Sequence, residues 1–169
     1  MKYHLVHTLK IPAADYYKVI TSPEYDQWSK EKLKMESRVV LEEEDTPYKL
    51  HRKVKMVTGP VSEKTRAWIK QDRLEIVEIF DVDKQAGTFV WIIEPGIWKD
   101  KVKGGGTGKI TPAGHESCTR VLDLEVKISI PIIGGMIEKA LDKKISEYFE
   151  KVNAGLEEFY LTRWKKTQA

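Results

Sequence analysis

A single cysteine, Cys118, is all the thiol chemistry this 169-residue chain contains. No intrachain disulfide can form, so the fold must stand on packing alone, as in a reducing compartment. Catalysis by that thiol would need an activating base brought from elsewhere in the fold. Long apolar runs are missing as well. Nothing approaches 18 consecutive apolar residues, which excludes a membrane-spanning helix. The opening "MKYHLVHTLKIP" is too polar for a secretory signal, so a cytoplasmic location is expected. Charge of one sign is also scarce. Lys and Arg number 29 against 26 Asp and Glu, a net +3, and nucleic-acid binding would call for a dense basic patch. The one small cluster, Arg163–Lys166, reads as a helix end that complements the macrodipole. A transient membrane-surface contact is the alternative reading. No internal repeat and no linker rich in Ser, Gly or Pro divides the chain. Its length suits one domain over residues 1–169, large enough to bury a full core.

Metal and nucleotide motifs are absent too. The four histidines, His4, His7, His51 and His115, have no ligand spacing on a helix, and His4 and His7 face opposite sides of a strand. "GGGTGK" fails the phosphate-loop pattern, because Lys103 and Ile110 stand where Gly and Ser or Thr are required. Its flanks read as strand on both sides, so the glycines are expected to permit a bend or close packing. No cofactor is expected.

What the chain does carry is period. "YHLVHTLKI" is strand-like, with Tyr3, Leu5, His7 and Leu9 on one face. Two short helices follow, "PAADYYKVI" after Pro12 and "PEYDQWSKE" after the Ser22–Pro23 start signal. About six more strands come next. "MESRVVLEEE" alternates weakly, with Val39 and Leu41 on one side. "GPVSEKTRAWI" breaks the strand pattern with a helical turn near Trp68. "CTRVLDLEVKISI" alternates most clearly, with Leu122, Leu124, Val126, Ile128 and Ile130 facing one way. One sheet face is therefore wet and the other covered. The cover is a helical stripe from Ile133 through Ile137, Leu141, Ile145, Tyr148, Phe149, Val152, Leu156, Phe159 and Tyr160. Some 30 residues of helix span roughly 45 Å at ~1.5 Å each, enough to cross a small sheet. Between the last strand and this helix, "SIPIIGGMIEKAL" places Pro131 to end ladder pairing. Gly134 and Gly135 are expected to let the helix start tight against the sheet.

Three polar residues, His7, Arg52 and Glu78, fall on the apolar parity of their strands. Buried polar groups must be paired. They form either an internal ion pair or the polar end of a cavity that orients a ligand carboxylate or hydroxyl. Phe89, Trp91, Trp98 and Tyr148 are either core or the walls of such a pocket.

The order strand, two short helices, about six strands, long amphipathic helix resembles the helix-grip fold of the START and Bet v 1-like superfamily, which includes polyketide cyclases and lipid-transfer domains. "VKISIPIIGGMIEKAL", preceded by "GGGTGKITPAGHESCTRV", carries the most specific part of the likeness and points to an uncharacterised bacterial branch. The resemblance implies an α+β fold, a curved antiparallel sheet of about seven strands wrapped around the C-terminal helix, with a ligand cavity between them. It implies binding of a hydrophobic small molecule or lipid, with a cyclase or dehydratase acting on a polyketide-like substrate as the alternative. The superfamily has no common catalytic motif, so no catalytic residue is carried over, and oligomeric state stays open. With Leu124 on the inward face of the last strand, and Met136 and Ala140 at the start of the last helix, the residues singled out above form the candidate ligand-binding set.

Overall fold

Alternation of side chains sets the architecture of the computed structural model, which describes residues 1–132, 134–142 and 144–168, the side chains of Leu141 and Gln168 apart. Strands β1 (Lys2–Leu9), β2 (Ser37–Asp45), β3 (Lys49–Val57), β4 (Glu75–Asp83), β5 (Thr88–Pro95), β6 (Val102–Pro112) and β7 (Cys118–Ile128) form one antiparallel sheet. Its order is β1-β7-β6-β5-β4-β3-β2. Chain-sequential strands β2 to β7 are a meander, and β1 closes against β7 at the far edge. The strict alternation read in β7 holds, with Cys118, Arg120, Leu122 and Leu124 buried and Asp123 and Glu125 exposed.

Helices α1 (Ala13–Ile20) and α2 (Pro23–Lys32) follow β1. The Ser22 hydroxyl accepts from the Tyr25 amide at 3.2 Å, and Pro23 occupies the first turn, as the start signal requires. Helix α3 (Glu63–Ile69) supplies the turn near Trp68 and is capped by Ser62. The C-terminal cover is long but not one helix. Helix α4 (Gly134–Asp142) stops, and α5 (Ile145–Phe159) restarts and runs on through a π-helical turn (Tyr160–Trp164) into α6 (Lys165–Gln168). Phe149, Leu156, Phe159 and Tyr160 are buried as the stripe predicts. Tyr148 is half exposed, and Ile133 and the Leu141 side chain lie outside the described residues. No helix of the described residues is long and apolar enough to cross a membrane.

Glycine permits close packing at one of the two places where the sequence suggested it. In β6 it makes room. A Cβ on Gly108 would overlap the Phe89 ring, and one on Gly106 would overlap the Asp123 carbonyl. Bulky residues there would push β5 or β7 away. At the entry to α4 the expectation of tight packing is corrected. A Cβ on Gly134 would make only ordinary contacts, the nearest at 3.5 Å, and one on Gly135 would meet nothing within 4 Å. The left-handed residue of this reversal is instead Ile132, at φ 70°. Val39 and Leu41 are both exposed on the edge strand. A bulge between Val40 and Glu42 switches the parity of β2, so that Arg38 pairs opposite Met56 but Glu43 opposite Arg52.

Candidate functional site

The sheet and α5 do not meet along their whole length. Between them lies a cavity of about 760 Å³, within the range of small-molecule pockets. Its walls come from β2, β3, β4, β5 and β7, from α1 and α2, and from α5. They are mostly apolar: Ile20, Val54, Met56, Ile76, Phe80 and Ile93 all contribute. The lining residues that keep solvent exposure, Leu33, Lys144 and Tyr148, mark its mouth. The inner end is closed by Tyr16, Arg120, Leu122 and Leu156, each at most 6% exposed.

Sheet register explains how the wall is assembled. Arg52, Phe80, Trp91, Gly106 and Leu124 form one row across β3 to β7. Val54, Glu78, Ile93 and Gly104 form the next row. Gly104, Gly106 and Gly108 leave three successive same-face positions of β6 without side chains, and the Phe89 ring lies over Gly108.

A charged cluster occupies the β2–β3–β4 side. The Asp26 carboxylate of α2 accepts from Arg38 Nε at 2.8 Å and from Arg52 Nη1 at 3.2 Å, and binds Arg52 Nη2 through its other oxygen. Arg52 Nε also donates to Glu43 at 2.6 Å. Arg38 reaches Glu78 at 3.8 Å, and Glu78 accepts from Trp91 Nε1 at 2.9 Å. Two guanidinium groups thus face three carboxylates. Burial pushes the Arg52 pKa one way, and its hydrogen bonds and charge contacts with Asp26 and Glu43 push it the other; the net direction is up. Burial raises the Tyr25 and Tyr148 hydroxyls above a free phenol, so both remain O–H donors at neutral pH.

Of the candidate residues, Arg52, Glu78, Phe89, Trp91 and Tyr148 line this cavity. His7, Trp98, Leu124, Met136 and Ala140 are not among its lining residues. His7 packs on Phe149 with ring centroids 6.3 Å apart. Trp98 sits at positive φ in the turn between β5 and β6. Leu124 is core beneath the Tyr3 edge. Met136 and Ala140 are exposed on α4, a separate helical segment from the α5 that lines the cavity. Arg52 does not pair with Glu78, as one reading of the sequence had it; its partners are Asp26 and Glu43. The residues that sequence reasoning missed are Asp26, Arg38 and Arg120. Arg120 carried a signal, since it lies two and four places before Leu122 and Leu124 on the inward parity of β7.

The seven-stranded antiparallel sheet with its C-terminal helical cover has the helix-grip fold seen in START and Bet v 1-like proteins, and comparison with solved structures agrees on the fold. A protein from Thermus thermophilus superposes with a TM-score of 0.66 at 23% identity, covering 94% of this chain and 95% of that one. Norcoclaurine synthase from Thalictrum flavum gives 0.62 at 15% identity, covering 96% and 87%. The Zhui aromatase/cyclase from Streptomyces sp. R1128 gives 0.56 at 13% identity, covering 94% and 96%. At these identities the likeness is one of fold alone. The chain belongs to the family described as "Protein of unknown function (DUF2505)", whose model matches residues 4–159. No curated protein matches it.

Proposed function

We propose that this protein binds a hydrophobic small molecule or lipid in the cavity between the sheet and α5. The observation that carries the reading is the cavity itself: about 760 Å³, walled mainly by aliphatic and aromatic side chains, with charged groups at defined points. Apolar walls desolvate a ligand and the polar groups orient it. Sequestration needs nothing more. A cyclase or dehydratase working in the same space is the second reading. In its favour, the Glu78 carboxylate shares the cavity with the protonated Tyr25 and Tyr148 hydroxyls, a base and two donors of the kind that carbonyl chemistry uses.

Titration of delipidated protein with the neutral fluorophore N-phenyl-1-naphthylamine tests the first reading. Binding should be saturable at one site, should alter Trp91 emission and should raise the melting temperature. Ile93→Trp fills the cavity from its wall and should abolish binding in a folded protein. If the fluorophore neither binds nor stabilises, or binds Ile93→Trp as well as the native chain, the reading is wrong.

A further inference from the structure

Two buried side-chain atoms among the described residues have no hydrogen-bond partner: His7 Nδ1 and Arg120 Nε. They are not scattered. His7 on β1 and Arg120 on β7 are directly paired in register. Arg120 is 6% exposed and lines the inner end of the cavity. Its Nη1 donates to the Tyr16 hydroxyl at 3.1 Å and its Nη2 to the Asn153 side-chain carbonyl. These partners are a phenol and a carboxamide, so neither brings an anion. Among the described residues no Asp or Glu forms an ion pair with Arg120, whereas Arg38 and Arg52 share Asp26 and reach Glu78 and Glu43 respectively. Burial and then the Arg120 charge hold the His7 pKa below its ordinary value. Glu150, which pulls the other way, is exposed on α5, where solvent screens it.

A buried guanidinium without a counter-charge is costly, and the cost falls when an anion reaches it. Arginine has five N–H donors in a planar fork, and this one uses two on protein groups. Asn153 sharpens the point: an amide stands where an isosteric carboxylate would have closed the pair internally. On the cavity reading above, we infer that Arg120 receives the carboxylate of the ligand, which is therefore an amphipathic acid with its acid group at the inner end. The apolar body then lies along Leu122, Phe149 and Trp91 towards the mouth. The β2–β3–β4 cluster is charge-satisfied and takes no part in holding the acid. A planar carboxylate fits the guanidinium fork and supplies the missing charge, which an alcohol does not.

Competition against N-phenyl-1-naphthylamine separates the possibilities. Dodecanoic acid at pH 8 and dodecan-1-ol share a chain. A merely apolar cavity prefers the alcohol, because the ionised acid loses hydration on entry. If Arg120 acts as inferred, the acid should displace the fluorophore at a concentration about tenfold or more lower than the alcohol. Asn153→Asp supplies an internal carboxylate. It should bring acid and alcohol within about twofold, a change of order one hydrogen-bonded charge, while fluorophore affinity is kept. Arg120→Met should do the same if it folds. Equal displacement by acid and alcohol in the native chain overturns this inference but leaves the cavity reading intact, as does an acid preference that survives Asn153→Asp. No binding of the fluorophore, the acid or the alcohol overturns both.

Discussion

Asp26→Ala probes the cluster that holds α2 against the sheet. Asp26 lies on α2, and its two oxygens bind Arg38 of β2 and Arg52 of β3. The three side chains are 12%, 10% and 5% exposed. Removing the shared carboxylate leaves two buried guanidinium groups. Breaking a buried pair by deleting one partner costs about 3–5 kcal/mol. Arg52 keeps Glu43, whose side chain is 41% exposed and so screened, and Arg38 keeps Glu78 only at 3.8 Å. The expected loss is therefore at the lower end, about 3 kcal/mol, read from urea unfolding with unchanged slope. Arg52→Met should be milder, since Asp26 then still has Arg38. A double-mutant cycle between the two positions should give a coupling of about 1–3 kcal/mol. Because the cluster is buried, 0.5 M salt should change these values little. A loss under about 1 kcal/mol for Asp26→Ala, or a coupling that salt abolishes, would refute the argument.

Two further outcomes follow from packing and from titration. A Cβ on Gly155 of α5 would meet the Trp28 ring at 3.0 Å, so Gly155→Leu should lower stability by about 1–3 kcal/mol through overpacking, and a raised melting temperature would contradict that close approach. His7 and His51 should act in opposite senses on stability below neutral pH. The His7 pKa is lowered by burial and then by Arg120, so its contribution is full above its unfolded value of about 6.5 and is lost as pH falls below it. The His51 pKa is raised, chiefly by its hydrogen bond to Asp81, so its contribution is full below about 6.5 and is lost as pH rises through the folded value. Urea unfolding at pH 5.5 and pH 8 should show His7→Gln favouring the acid side relative to the native chain and His51→Gln the alkaline side, the latter weakly because its ring is partly exposed; identical pH slopes in all three proteins would count against both assignments.

How far the chain could be read before the structure depended on which force set each feature. Strand period was legible wherever one face is buried: β7 alternates over Cys118–Ile128 as its residues alternate in hydropathy. The start of α2 was legible because Ser22 and Pro23 act locally. The edge strand was not. A bulge at Val40–Glu42 inverts parity midway, so Arg38 and Glu43 both face the cluster although they stand an odd number of places apart. The helix break at Lys144 was hidden as well, because the apolar stripe continues in step across it. Met136 and Ala140, placed in the ligand-binding set as the start of that helix, are exposed on α4.

The site was half legible for a related reason. Parity identifies which side chains point inward, and Arg52 and Glu78, which it singled out, line the cavity. It does not say what they meet. Asp26 comes from a helix of low amphipathicity, in a stretch where acidic residues are ordinary, and only the docking of α2 on β2 and β3 brings it between two arginines. The consequence is electrostatic. With Asp26 in place the β2–β3–β4 cluster is closed to a further anion, and the buried uncompensated positive charge of the cavity lies at Arg120, with β4, β5 and β6 between Arg52 and it. A ligand acid is therefore expected at the inner end and not at the one the inward-facing arginine of β3 first suggested. That placement makes orientation testable on its own. A dodecanoic acid spin-labelled near its methyl end should report water contact near Tyr148 when bound, whereas a label beside the carboxylate should be shielded. The reverse pattern would put the acid at the mouth and return Arg52 or Lys144 as its partner.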